Sequence, residues 1–208
     1  MNQIHQYIQI NRYKIIVINY LKSPCYNYIF AILETIRQIL SRDNLNNNKQ
    51  HILIFVSGNS DRKSLFEEFG MVPNTNKGTT NIFGGRRLVV QYIDSKYKGS
   101  FKETDFPDST IFIATNVIES SVTITNLKYV IDTGLAFNSS YDSKLDMDSL
   151  NINAITTPSA DQRKGRVGRT MPGTCYRLYT KRYFETIMKG ETIPEIFKAN
   201  IESIFVKI

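Results

Sequence analysis

The chain has no tryptophan, only two cysteines and no long apolar run, and each absence narrows what it can be. Cys25 and Cys175 share no short spacing, which argues against a disulfide framework and a cysteine-based metal site. The simplest state for both is a reduced intracellular thiol. No stretch approaches the ~18 apolar residues of a membrane-spanning helix. The start, MNQIHQYIQINRYKII, lacks the charged opening, apolar run and small-residue cleavage site of a secretory signal. No G-x-x-x-x-G-K-S/T segment occurs, and Gly84-Gly85-Arg86 does not make a phosphate loop. A self-sufficient nucleotide site of the phosphate-loop kind is therefore excluded. Acidic residues are the scarcer charge: 19 Asp and Glu stand against 26 Lys and Arg, a net charge of +7 and a pI near 9.3. That surplus suits a polyanionic partner, but alone it leaves nucleic acid, an acidic membrane and plain solubility open.

At 208 residues, with 41% hydrophobic and 22% charged, the chain can bury one sizeable core. Arg12 to Asn19 reads as a buried strand. Tyr26 to Leu40 repeats apolar residues at helical spacing, with Ile29, Ile32, Leu33, Ile36, Ile39 and Leu40 on one stripe. Ile52 to Val56 is a second strand, and Asp61 to Phe69 a short helix closed by Gly70. Pro73 to Gly85 reads as a loop. Strands follow at Arg87 to Ile93, Thr110 to Ala114, Lys128 to Asp132 and Pro172 to Thr180. Alternating strands and helices predict an α/β fold, a parallel sheet with flanking helices. Between Asp132 and Thr157 the pattern changes to two β-prone runs around a polar, acidic tip, which predicts an inserted β-hairpin at about 135–157.

The segment QRKGRVGRT, Gln162 to Thr170, carries the chemistry. Arg166 and Arg169 are three apart, so they share a face if the segment starts a helix. Two guanidiniums beside glycines suit a phosphate chain that gains negative charge during transfer. Arg163 and Lys164 read as surface or RNA-facing charges. Upstream lies IFIATNVIESSVTITNLKYVIDTG, and downstream PGTCYRLYT and IPEIFKANIESIFVKI; HILIFVSGNSD comes earlier.

Together these segments resemble the fourth, fifth and sixth motifs, and the flanking strands, of DEAH-type superfamily-2 RNA helicases, from about residue 13 onward. The resemblance implies a RecA-like fold, the second of two such domains that clamp ATP between them. It implies that Arg166 and Arg169 are arginine fingers on the γ-phosphate and that Gln162 lies near the attacking water. Ser121, Thr123, Thr125, Gly165 and Phe101 would lie on the nucleotide, with Phe106 an alternative to Phe101. Thr125 departs from the acidic residue usual after the fifth motif. Thr115, Asn116, Ser57 and Gly58 would meet the RNA backbone, and the hairpin would steer the strand.

The resemblance further implies a division into a 1–11 extension or linker, a RecA-like domain over 12–180, and a 181–208 helical start of a winged-helix region. ATP or another NTP would bind with Mg2+, the metal held mainly by a first RecA-like domain supplied in cis or in trans, and no metal site is expected in this chain. The partner would be RNA, or DNA, and no membrane; the location would be intracellular. With half of an ATPase site, the chain alone is expected to be inactive, as a piece of a larger helicase. The competing expectation is a stand-alone, non-catalytic RNA-binding or regulatory fragment.

Overall fold

The structure is a computed structural model that describes residues 4–11, 14–43, 49–70, 79–83, 86–93, 109–116, 124–142, 147–188 and 190. Its strands are β1 (Ile4–Asn11), β2 (Lys14–Leu21), β3 (His51–Phe55), β4 (Thr79–Phe83), β5 (Arg86–Ile93), β6 (Thr110–Ala114), β7 (Leu127–Asp132), β8 (Leu135–Asp142), β9 (Met147–Ala154) and β10 (Gly173–Thr180). The helices are α1 (Tyr28–Arg42), α2 (Asn59–Glu68), α3 (Thr157–Lys164) and α4 (Lys181–Thr186). One eight-stranded sheet has the order β1-β2-β10-β7-β3-β6-β5-β4. The strands from β2 to β5 in that order run parallel, while β1 and β4 close the two edges antiparallel.

Continuous apolar runs make the central strands because both faces of the sheet are covered. Every residue of β3 and β6 is buried. Side chains alternate between two cores. Ile52, Ile54, Ile111, Ile113 and Ile131 meet α1 and α2 on one face. Leu53, Phe55, Phe112, Val130 and Cys175 meet Ala160 of α3 on the other. The expected stripe of α1 is the buried one; Ile32 and Ile36 are fully enclosed, worth about 1.5–3 kcal/mol each on the usual transfer scale. Asn27 caps α1 by accepting from the Phe30 N–H at 3.0 Å. Gly70, at φ 65°, ends the turn after α2 in the left-handed region.

Strands β8 and β9 form a separate two-stranded antiparallel sheet, the expected hairpin. Its root is pinned by Ile155 N–H donating to Gly134 O at 2.9 Å. Gly134 has φ 75°, and a Cβ there would lie 2.6 Å from a Tyr179 ring carbon, so only glycine fits. Two strands add to the sequence reading. The segment expected as an N-terminal extension supplies β1, and β4 lies inside the expected Pro73–Gly85 loop. At the C-terminal side, Thr180 caps α4 by accepting from Tyr183 N–H at 3.1 Å. Residues 191–208, where the start of a winged-helix region was expected to continue, lie outside the described residues.

Candidate functional site

The arginine-rich segment sits at the end of a helix, so the condition for Arg166 and Arg169 to share a helical face, a helix start, is not met. Thr156 and Pro158 begin α3, and the helix stops at Lys164 with Gly165 as its C-cap. Arg166 N–H donates to Arg163 O at 3.1 Å and Val167 N–H to Lys164 O at 3.2 Å, so a tight turn carries the chain out of the helix. Gln162 is exposed on α3, Arg166 is 6% exposed, and Arg169 is exposed with its Nε donating to Gly165 O at 3.2 Å. Gly168 has φ 78°, and a Cβ there would come 2.7 Å from Ile16 Cγ1. Its glycine is required by packing on β2 and by the backbone, whereas the sequence suggested clearance for a ligand.

Arg163 corrects the sequence reading outright. It is 0% exposed, and its Nη1 donates to Asp132 Oδ1 at 2.8 Å. Its Nη2 donates to Leu135 O at 3.2 Å, and the guanidinium lies 4.8 Å from the Phe55 ring centre. Helical spacing explains this: Arg163 follows Ala160 by three residues, on the helix face turned to the sheet. Asp132, also 0% exposed, accepts from Gly134 N–H at 2.9 Å and from the Tyr179 hydroxyl at 2.8 Å. Burial, then the Asp132 charge, raises the Tyr179 phenol well above its usual pKa, so it remains a donor.

Lys164 also lies less open than expected, donating to Asp161 Oδ1 and to Gln9 Oε1, each at 2.9 Å. The buried Arg177 Nη2 reaches the same Asp161 Oδ1 at 2.8 Å, and its Nη1 bonds the Tyr20 hydroxyl. Burial alone would raise the Asp161 pKa, but the hydrogen bonds from Lys164 and Arg177 outweigh it and hold the carboxyl low. Sequence reasoning missed Asp132, Asp161, Arg177 and Tyr179. The available signals were an acid closing the apolar strand LKYVID and a charge between the core residues Tyr176 and Leu178.

The remaining site residues divide between the two edges of the sheet. Thr115 and Asn116 follow the C-terminal end of β6, and Ser57 and Gly58 that of β3, on the edge where the hairpin emerges. Thr125 precedes β7, and Gly168 packs on Ile16 near the start of β2, toward the opposite edge, while α3 reaches back to Asp132 through Arg163. Thr115 and Asn116 are partly exposed, whereas Ser57 is 1% exposed and its hydroxyl donates to Asp61 Oδ2 at 2.6 Å. Asp61 is held in turn by the Tyr28 hydroxyl at 2.6 Å, so the Ser57 side chain faces inward. Ser121, Thr123, Phe101 and Phe106 lie outside the described residues. Among the described residues no group of three His, Cys, Asp or Glu could hold a metal ion, and no helix is long and apolar enough to cross a membrane. A cleft of about 330 Å³ lined by Arg42, Asp43, Tyr129 and Tyr176 lies on the α1 face, away from α3.

Comparison with known proteins shows the family and the fold. The helicase conserved C-terminal domain family matches residues 31–171. The ATP-dependent RNA helicase DEAH13 of Arabidopsis thaliana is 43% identical over 104 residues, 50% of this chain and 8% of that protein. The pre-mRNA-splicing factor ATP-dependent RNA helicase prp22 of Schizosaccharomyces pombe is 34% identical over 189 residues, 88% of this chain and 15% of that protein. The chain thus spans only a small part of the length of either relative. The crystal structure of the E. coli DExH-box NTPase HrpB shares the fold, with a TM-score of 0.67 at 18% identity over 90% of this chain and 22% of that one. With a RecA-like sheet, the arginine-bearing turn after α3 and these relatives, the chain belongs to the helicase conserved C-terminal domain family, as a C-terminal domain of the DEAH type of RNA helicase.

Proposed function

We propose that this chain closes over ATP, or another NTP, bound to a first RecA-like domain, and couples its hydrolysis to movement along RNA. Arg166 and Arg169 are the arginine fingers. Their permanent charge offsets the charge that spreads over the transferred phosphoryl oxygens. Gln162 orients the attacking water, and Gly165 and Thr125 line the same edge; Ser121, Thr123 and Phe101 complete the nucleotide contacts. Mg2+ is held mainly by the first domain, whether supplied in cis or in trans, which makes the chain inactive alone. Thr115 and Asn116 hold the RNA backbone without reading its sequence. At the β3 corner the contact falls to the backbone of Gly58 and the first turn of α2, because the Ser57 hydroxyl is engaged by Asp61.

The observation that carries this reading is that Thr115, Asn116 and Gly58 gather beside the hairpin at the C-terminal ends of β3 and β6, while the arginine-bearing turn leaves α3 and packs on β2 at Ile16. Crossed substitutions in the complete protein test it. Arg169→Ala should abolish RNA-stimulated ATP hydrolysis and leave RNA affinity intact. Asn116→Ala should weaken RNA binding and raise the RNA concentration needed for stimulation. Identical phenotypes in the two variants would refute the separation, and wild-type turnover in both Arg166→Ala and Arg169→Ala would refute the fingers.

A further inference from the structure

We propose that Arg163 is a positioning residue that ties α3, and with it Gln162, Arg166 and Arg169, to the root of the β8–β9 hairpin, so that hairpin and arginine turn move as one body. The proposal rests on the reading just given for the two edges, and it names the physical link between them.

Arg163 leaves α3 one residue after Gln162 and three before Arg166. Its guanidinium then touches three elements at the far edge. Asp132 closes β7 and takes Nη1 at 2.8 Å; the Leu135 carbonyl opens β8 and takes Nη2 at 3.2 Å; Phe55 closes β3 and presents its ring at 4.8 Å. The second oxygen of Asp132 is held by the Tyr179 hydroxyl at 2.8 Å, and the Tyr179 ring fills the space beside Gly134 at the hairpin root. Arg163 and Asp132 are both fully enclosed, so no water can slip between them and let the pair relax. On its other side α3 is tied to β10 by Asp161 and Arg177, at 2.8 Å. A displacement of the hairpin root is therefore transmitted to the helix rather than absorbed.

Stability alone is a poor account of this pair, since well-packed apolar residues of similar volume usually match or exceed a buried ion pair. The guanidinium fork supplies what an apolar pair lacks, a fixed geometry between two elements. A lysine would keep the charge but could not hold Asp132 and the Leu135 carbonyl in the same forked arrangement.

The test is the ratio of RNA-stimulated to basal ATP hydrolysis in the complete protein. Loss of folded protein scales both rates equally and leaves the ratio unmoved. In the apolar pair Arg163→Met with Asp132→Leu, the ratio should fall about fivefold or more, the range expected for losing one coupling interaction. Arg163→Lys should recover part of the ratio. A ratio within about twofold of wild type in the folded apolar pair overturns the proposal. Should that pair fail to fold, Tyr179→Phe, which removes only the hydroxyl contact to Asp132, and Arg163→Lys carry the test. A lowered ratio in both supports the link, and an unchanged ratio in both overturns it. Absence of RNA-stimulated hydrolysis in the wild-type protein overturns the underlying reading, a failure distinct from that of the link.

Discussion

Replacing Arg163 with methionine isolates the charge of a buried pair from its packing. Methionine keeps an apolar stem against Phe55, while the two hydrogen bonds to Asp132 and Leu135 O disappear. Removing one partner of a buried pair costs about 3–5 kcal/mol, because the other charge is left without compensation. Asp132 keeps two donors, the Gly134 N–H and the Tyr179 hydroxyl, so the lower end, about 3 kcal/mol, is expected. In a domain of this size that is a fall in Tm of about 6–12 °C. Urea unfolding followed by circular dichroism measures it, with no tryptophan to report by fluorescence. Adding Asp132→Leu should restore part of the loss, since the stranded carboxylate is gone while the Gly134 N–H and Tyr179 hydroxyl lose their acceptor, and the double-mutant cycle should show strong coupling. A loss below about 1 kcal/mol for Arg163→Met would mean a solvent-facing charge and would refute the burial argument.

Gly58→Ala separates fold from function at the β3 corner: a Cβ there meets only Phe137 Cβ, at an ordinary 3.9 Å, so stability should hold while RNA affinity falls if the backbone approaches phosphate. Equal RNA affinity would remove Gly58 from the interface. Asp161 has its carboxyl lowered in the folded state, so its contribution to stability is present above the ordinary carboxylate pKa and is lost as pH falls through the lower folded value. Acid unfolding compared between wild type and Asp161→Asn should therefore differ above about pH 4 and converge below it. Burial pushes the Cys175 thiol up to about 12, whereas Cys25 is partly exposed. A thiol reagent should label Cys25 in the native protein and Cys175 only on unfolding; rapid native labelling of both would contradict the buried β10.

The sheet was legible where both faces are buried. The runs at Ile52, Thr110 and Lys128 have no polar interruption, and only covered parallel strands read that way. The helix stripe of Ile32, Ile36 and Ile39 was equally plain. The edge strands were not. In β1, Tyr7, Ile8 and Ile10 stay exposed, so burial imposes no pattern on IHQYIQIN. The hairpin was readable from its two β-prone runs. The site was legible as a motif but not as a geometry. Spacing gave Arg166 and Arg169 a shared face only if the segment starts a helix, whereas α3 ends at Lys164, with Gly165 as its C-cap, before either arginine. Arg163 and Arg177 were hidden for a different reason: a charged residue reads as exposed until its partner is known, and Asp132 and Asp161 lie far from obvious in a linear sequence. Ser57 shows the same limit, since its hydroxyl is claimed by an aspartate one helical turn away.

The most direct test of the central claim is steady-state ATP hydrolysis by the complete protein carrying Arg169→Ala. Arg169 is exposed, so the substitution should leave the melting temperature and RNA affinity at wild-type values. The expected result is a loss of RNA-stimulated kcat of about 10³-fold or more, the scale of an arginine finger. Wild-type turnover, with the fold and RNA binding intact, would contradict the claim that this domain closes over the nucleotide through its arginine turn.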